Sequence, residues 1–152
     1  THLTNKIFLD ALKNKHINDF KDITDIKTEV KFGNNTRFDF LVFGKNYKAF
    51  IEVKNVTLKR KNSIAEFPDS VTSRGKKHIQ ELINAKKKGY KVFIAFVIQR
   101  SDCNQFTVAN DIDPVYSQTL LDALNKNLNL LCYDCKFSTK GIKLNNKIEI
   151  NI

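Results

Sequence analysis

The chain lacks several features that would place it in a particular class of protein. It has no methionine and begins at Thr1, so we expect it to be a processed, trimmed or excised piece of a longer protein. No apolar run approaches the roughly 20 residues of a membrane-spanning helix, and there is no secretory signal. No glycine-rich phosphate loop is present, which argues against nucleoside triphosphate hydrolysis. Without repeats or linkers, the 152 residues are expected to form one domain.

Cysteine is scarce, with residues only at positions 103, 132 and 135. An odd number argues against the disulfide framework of a secreted protein. Cys132 and Cys135 have CxxC spacing, but they lie in a strand-like stretch, where residues three apart point to opposite faces. We therefore expect no zinc-chelating pair, and reduced cysteines with packing roles in a cytoplasmic protein.

Positive charge is in excess. Lysine and arginine number 26 against 16 aspartates and glutamates, which gives a net charge of +10. Such an excess favours a polyanionic partner, with nucleic acid first and an acidic membrane surface second. We expect nucleic acid, DNA before RNA, and no association with a membrane.

Hydrophobic periodicity predicts three helices. The first is expected at residues 4–17 with Thr4 as N-cap, and the second at residues 70–89, capped by Asp69 or Ser70. The third is expected to begin with the N-cap and proline at the positions that start a helix, namely Asp113 and Pro114.

Strand patterns separate these helices in the order α-β-β-β-α-β-α-β. Residues 90–99 are almost all apolar, which is typical of a strand buried on both faces. Residues 59–70 and 100–113 are expected to be loops, and residues 142–150 a possible closing strand. This order predicts an α/β fold with a mixed central sheet flanked by helices.

Two of the predicted strands carry an acid among apolar residues, at Asp39 and Glu52. If a two-residue loop at positions 45–46 joins these strands, paired residue numbers sum to 91 and the two acids lie directly opposite each other. The same register pairs Arg37 with Lys54. All four side chains would then share one face of the hairpin, with the other face formed by Phe38, Phe40, Ile51 and Val53. A three-residue loop would instead send the acids to opposite faces.

An opposed pair of carboxylates destabilises a hairpin unless a cation lies between them. Mg²⁺ takes one or two carboxylates and keeps water and phosphate oxygens as its other ligands. It lowers the pKa of a bound water, and the Lys54 ammonium can stabilise negative charge that develops on phosphate. Asp39, Glu52 and Lys54 therefore predict a metal-dependent phosphodiesterase centre. The alternative is a solvent-facing strand in which Lys54 merely pairs with Glu52.

This arrangement resembles the PD-(D/E)xK nuclease superfamily. Longer stretches, among them EVKFGNNTRFDFLV, IEVKNVTL, AEFPDSVTSRGKKHIQEL and LLCYD, resemble the sugar fermentation stimulation protein A family from about residue 5 almost to the C-terminus. The resemblance implies a restriction-endonuclease-like catalytic domain over residues 1–152 in a DNA-binding protein or DNA/RNA nuclease. Family members usually carry an additional N-terminal OB-like domain, which we expect to be absent from this chain. The alternative is a non-specific DNA-binding protein with a regulatory role and no catalysis.

The superfamily motif implies roles for individual residues. Asp39 and Glu52 would bind Mg²⁺ or Mn²⁺ together with the main-chain carbonyl of Val53, and Lys54 would be the catalytic lysine.

Sites of this kind often have a further acid, for which the sequence offers Asp10 in the first helix and Glu29 in the first strand. The sequence does not choose between them. The alternative for each residue is that it is an ordinary charged residue on the protein surface.

Basic residues follow the Glu52 strand. Arg74 and His78 lie four apart on one face of the predicted second helix, with Lys77 beside them. His78 is expected to donate a hydrogen bond or carry a proton, unless it is only a satisfied histidine on a solvated face. Gln99 is expected near the floor of the site. Phosphate contacts are expected from Arg37, Arg60, Arg74 and Lys77.

Overall fold

The computed structural model describes residues 2–152, which form three helices and ten strands. The helices are α1 (His2–Lys13), α2 (Ser73–Lys87) and α3 (Pro114–Leu124). The strands are β1 (Ile23–Phe32), β2 (Thr36–Gly44), β3 (Lys48–Val56), β4 (Leu58–Lys61), β5 (Ile64–Phe67), β6 (Lys91–Ile98), β7 (Gln105–Val108), β8 (Asn129–Ser138), β9 (Gly141–Lys147) and β10 (Glu149–Ile150). None of the three helices is long and apolar enough to cross a membrane.

The central sheet has six strands in the order β1-β2-β3-β6-β8-β9. β3, β6 and β8 run parallel, while β1, β2 and β9 are antiparallel to their neighbours. The chain is therefore a mixed α/β protein, as the order of elements predicted. A smaller sheet has the order β10-β7-β5-β4.

The central sheet separates two cores. α1 packs Ile7 and Phe8 on one face, and the other face is covered by α2 and α3 through residues such as Leu82 and Leu120. We call these the α1 core and the α2/α3 core. Residues 92–98 of β6 are buried throughout, as expected for a strand covered on both sides.

The cysteines agree with this division of the sheet. Cys132 belongs to the α2/α3 core and Cys135 to the α1 core, so they point to opposite faces. All three cysteines are free and buried, which confirms the packing role.

Two segments predicted as loops are in fact strands. Residues 59–70 contribute to the β4–β5 hairpin, and residues 100–113 contain β7. These strands span only four residues each, so hydrophobic alternation does not reveal them. The charged residues of the three strands are concentrated in β4 (LKRK), at the edge of the small sheet, where charge protects an edge strand from further pairing.

Helix ends were predicted less well than the helices themselves. α1 begins before Thr4, so Thr4 is not an N-cap. The N-cap of α2 is Thr72, whose hydroxyl accepts a hydrogen bond from the N–H of Gly75, and neither Asp69 nor Ser70 has this role. Asp113 is confirmed as the N-cap of α3.

Asp113 also joins the starts of two helices. One carboxylate oxygen accepts a hydrogen bond from the N–H of Tyr116 at 2.9 Å, and the other accepts one from the N–H of Thr72 at 2.8 Å. We expect Asp113→Ala to lower the free energy of unfolding by about 2–4 kcal/mol, since a cap and a second charge-assisted bond are lost. Urea unfolding measures this, with the exposed Asp69→Ala as control. Equal losses in the two variants would contradict the capping role.

Candidate metal and phosphate site

The β2–β3 hairpin has the predicted register. Gly44 donates its N–H to the carbonyl of Tyr47 at 2.9 Å, and Phe40 lies opposite Ile51. Paired numbers therefore sum to 91, as a two-residue loop requires. This register brings Asp39 and Glu52 together.

The hairpin opens at Asp39 instead of continuing to Arg37. Its last paired residues are Phe40 and Ile51, and beyond them the Asp39 carboxylate accepts the N–H of Val53 at 2.8 Å. The expected pairing of Arg37 with Lys54 does not form. The main chain of Val53 therefore lies beside the Asp39 carboxylate.

Side-chain alternation breaks at the same point. Phe38 lies in the α2/α3 core, whereas Phe40, Ile51 and Val53 lie in the α1 core. The prediction that Phe38 shares a face with the other three is wrong. Phe38 and Phe40, two residues apart, thus enter different cores at the point where the pairing of β2 with β3 ends.

Glu29 occupies the matching position on β1. The register of β1 and β2 places it across from Asp39, between the pairs Thr28–Phe40 and Val30–Phe38. Its φ is 51°, in the left-handed region, where a residue with a side chain loses about 1–2 kcal/mol. Glu29 is exposed and lines the same pocket as Asp39.

Asp39 is held by neighbours on both sides. Asn5 of α1 donates its amide to Oδ1 at 3.0 Å, while Val53 binds Oδ2. Burial and the negative charge of Glu52 raise the pKa of Asp39 to about 7. At neutral pH the site therefore resists holding two ionised carboxylates without an additional positive charge.

Glu52 is 4% exposed and has two basic neighbours. Its Oε2 contacts Nδ1 of His78 and lies 3.4 Å from Nζ of Lys54. Burial acts to raise the pKa of Glu52, but the hydrogen bond with His78 and the charge of Lys54 outweigh it, so the pKa is lowered. The surroundings of the two carboxyl groups thus raise the pKa of Asp39 and lower that of Glu52. Such a difference between neighbouring carboxyl groups is typical of sites of acid–base catalysis.

His78 connects the acid to the lysine. Its Nδ1 also lies 3.2 Å from Nζ of Lys54. With a proton on Nδ1 the ring donates to Glu52, and without that proton it accepts from Lys54. His78 is 7% exposed, so this contact is shielded from bulk water.

These groups line a pocket of about 540 Å³. Its walls come from α1, β1, β2, β3 and α2, and its polar side chains are those of His2, Thr4, Asn5, Glu29, Asp39, Glu52, Lys54, Asn55, Arg74 and His78. We call it the acid pocket.

Beside the acid pocket lies a second depression of about 420 Å³. We call it the basic groove, and it is lined by Lys31, Asn34, Asn35, Thr36, Arg37, Arg74, Lys77 and His78. Arg37, Arg74, Lys77 and His78 are thus brought together as the sequence predicted.

Two predicted site residues lie elsewhere. Asp10 is exposed on α1 and lines a different depression, with Asn14 and His16, so it does not join Asp39. Between the two candidate acids the structure brings only Glu29 to the acid pocket.

Arg60 is engaged by carboxylates. Its guanidinium donates to Glu66 at 2.7 and 2.8 Å and to Asp111 at 2.7 and 2.7 Å. Both pairs of bonds are bidentate, a geometry that holds the guanidinium in place. The predicted phosphate contact of Arg60 therefore has no support in its surroundings.

Sequence reasoning did not identify the part of the site that α1 contributes. Asn5 orients Asp39, and Thr4 accepts a hydrogen bond from Gln99 at 2.7 Å. Gln99 thus reaches the floor of the site through Thr4, as expected. These contacts join residues 34 and 95 positions apart, so no local pattern signals them.

A hard divalent cation would find oxygen ligands here. Asp39 and Glu52 could supply carboxylates, Val53 its carbonyl and Glu29 a further carboxylate, since all four residues line the acid pocket. Within residues 2–152 no three His, Cys, Asp or Glu side chains form a metal-binding group. The donor set therefore suits a cation that keeps several water ligands, such as Mg²⁺, better than one that needs a full cage of side chains.

Comparisons with known sequences identify relatives over nearly the whole chain. Residues 2–141 match the family model described as the sugar fermentation stimulation protein RE domain. Sugar fermentation stimulation protein homologs from Pelagibacter ubique and Roseobacter denitrificans are 46% and 38% identical, over 99% and 100% of this chain. The chain spans 65% of the length of each.

A solved structure shares the fold. It is that of Pyrococcus furiosus SfsA in complex with Ca²⁺, which superposes with a TM-score of 0.91 over 99% of this chain and 65% of the other, at 24% sequence identity.

Proposed function

We infer that this chain, which belongs to the sugar fermentation stimulation protein family, is a nuclease that hydrolyses phosphodiester bonds of DNA or RNA with Mg²⁺ or Mn²⁺ as cofactor. The observation that carries the proposal is the pair of acids formed by half-buried Asp39 and buried Glu52, with Nζ of Lys54 3.4 Å from Oε2 of Glu52. Two carboxylates in one pocket beside a lysine are better explained by a role in phosphodiester hydrolysis than by a position on an inert surface.

The donor set supports a cation at this pair. Burial and the neighbouring charge of Glu52 raise the pKa of Asp39 to about 7, and a divalent cation would replace the proton that Asp39 holds. The Pyrococcus furiosus relative was solved with Ca²⁺, which binds oxygen ligands as Mg²⁺ does. When bound, the cation would lower the pKa of an attacking water and offset charge on the phosphate.

The residues of the chain supply orientation and positive charge. Asn5 and the N–H of Val53 fix the Asp39 carboxylate. Lys54 can donate to the attacking water or to a phosphate oxygen, since its ammonium is held between Glu52 and His78 at the pocket wall. Arg74 lies in the same wall and offers a bidentate donor to phosphate.

Cleavage of labelled oligonucleotides tests the proposal. Single- and double-stranded DNA and RNA are each incubated with the purified chain in Mg²⁺, in Mn²⁺ and in EDTA, beside Glu52→Gln. We expect cation-dependent cleavage of at least one substrate by the chain and loss of about 10²-fold or more in Glu52→Gln, since a ligand is removed. Cleavage that persists equally in EDTA or in Glu52→Gln would overturn the proposal.

The second candidate function is nucleic-acid binding without catalysis. The net charge of +10 favours it, as does the finding that no three metal-binding side chains converge within residues 2–152. It predicts salt-dependent binding that EDTA leaves unchanged, with no cleavage of any substrate.

A further inference from the structure

The basic groove contains positive charge that the protein does not neutralise. Lys31, Arg37, Arg74 and Lys77 have no carboxylate at ion-pair distance among the described residues. Their convergence in one groove is electrostatically unfavourable unless an anion binds there.

Several other cations of the chain do have partners. Arg100 is neutralised by Asp102, as Arg60 is by two carboxylates. Lys48 and Lys88 lie over the aromatic rings of Tyr90 and Phe32. The groove cations therefore differ from these four in having no intramolecular partner of either kind within residues 2–152.

The groove adjoins the acid pocket without a break. Arg74 and His78 line both depressions. A chain of phosphates that places one phosphate at Asp39 and Glu52 would therefore place a neighbouring one over these two residues and into the groove. The strand would then run along the turn between β1 and β2, where Asn34 and Asn35 offer amide donors.

The chemistry of the lining indicates which part of a strand it contacts. None of the eight residues that line the groove is acidic, and none is phenylalanine, tyrosine or tryptophan. Nucleic-acid sites that hold bases use such aromatic residues as stacking platforms, whereas lysine, arginine and amide side chains bind phosphate and sugar.

We propose that the basic groove is a subsite for the sugar–phosphate backbone of the substrate, holding the strand on one side of the bond that is cleaved. The proposal rests on the proposed nuclease function, and it adds the path of the strand. Recognition in this groove is through phosphate and is independent of base sequence.

The test is binding measured without cleavage. Fluorescence anisotropy in EDTA compares wild type with Arg37→Ala/Lys77→Ala, using labelled oligonucleotides of two unrelated sequences. The control is Lys87→Ala/Lys126→Ala, which removes the same charge from a different depression on the surface. Arg37→Gln/Lys77→Gln is a second variant that keeps polar side chains, and thermal unfolding verifies that each protein is folded.

We expect the groove variants to bind both sequences at least about tenfold more weakly than the control does, because two charge-assisted contacts are lost. The slope of log K against log salt should fall by about 0.7–0.9 for each contact removed. Groove variants that bind as tightly as the control would overturn the subsite. If wild type cleaves nothing but the groove variants still lose binding, the nuclease proposal fails and the strand-binding groove stands.

Discussion

Asp39→Asn is expected to give a protein that is more stable at neutral pH but no longer binds Mg²⁺ or Mn²⁺ measurably. Folded Asp39 keeps its proton up to a pKa of about 7, against an ordinary value of 3.8. Between these pH values the folded state holds more protons than the unfolded state, so stability falls as pH rises through this window and stays low above it. Asparagine removes this loss, which corresponds to up to about 4 kcal/mol at about 1.4 kcal/mol per pKa unit.

The same carboxyl makes cation binding depend on pH. Below pH 7 a cation must displace a proton from Asp39, so the affinity of wild type should rise about tenfold per pH unit and level off above pH 7. Calorimetry with Mn²⁺ and urea unfolding from pH 4 to 8 measure the two effects. Asp10→Asn on the exposed face of α1 is the matched control and should change neither. An Asp39→Asn protein that binds Mn²⁺ with wild-type affinity would refute the assignment of this carboxylate as a ligand.

Lys54→Ala is expected to reduce kcat by about 10²–10³, the cost of losing one donor aimed at developing charge. Its ammonium lies 3.4 Å from Glu52 and 3.2 Å from His78 and so is held at the pocket wall. Removing a cation beside Glu52 leaves the carboxylate free to bind a metal ion, so cation affinity should be kept or increased.

This separation of effects distinguishes Lys54 from the metal ligands. Single-turnover cleavage gives the rate and calorimetry gives the cation affinity of the same protein. Lys61→Ala, on an exposed position of β4, removes an equal charge away from the acid pocket and should keep the wild-type rate. More than half of the wild-type rate in Lys54→Ala would show that the lysine is only a surface cation paired with Glu52.

The larger elements of the fold could be predicted because each carries its own periodic signal. β6 is apolar throughout, and α3 begins with an aspartate and a proline that have defined roles at a helix start. The small sheet could not be predicted in this way. β7 and the β4–β5 hairpin are stabilised by pairing with each other and by Arg60 joining Glu66 to Asp111, and such distant contacts leave no mark in a local pattern.

The candidate site likewise has a part that could be predicted from the sequence and a part that could not. Asp39 could be placed near Glu52 once a two-residue turn was assumed, because the strand period then fixes which residues face each other, and the structure has that register. Counting could not show that Asn5 would hold Asp39, nor choose Glu29 over Asp10. The contact of Asn5 with Asp39 and the position of Asp10 both depend on how α1 lies against the sheet. That orientation is determined by the packing of the whole α1 core.

The break in alternation at Asp39 has a consequence for how the site tolerates change. Phe38 and Phe40 are each fully buried, on opposite sides of the sheet. If β2 slid by one residue, each ring would leave the cavity that fits it, at a cost of a few kcal/mol per ring. The burial of these two rings in different cores thus fixes the position of the Asp39 carboxylate that lies between them. Insertions or deletions near it should be far more damaging than substitutions at the exposed residues of the same strand.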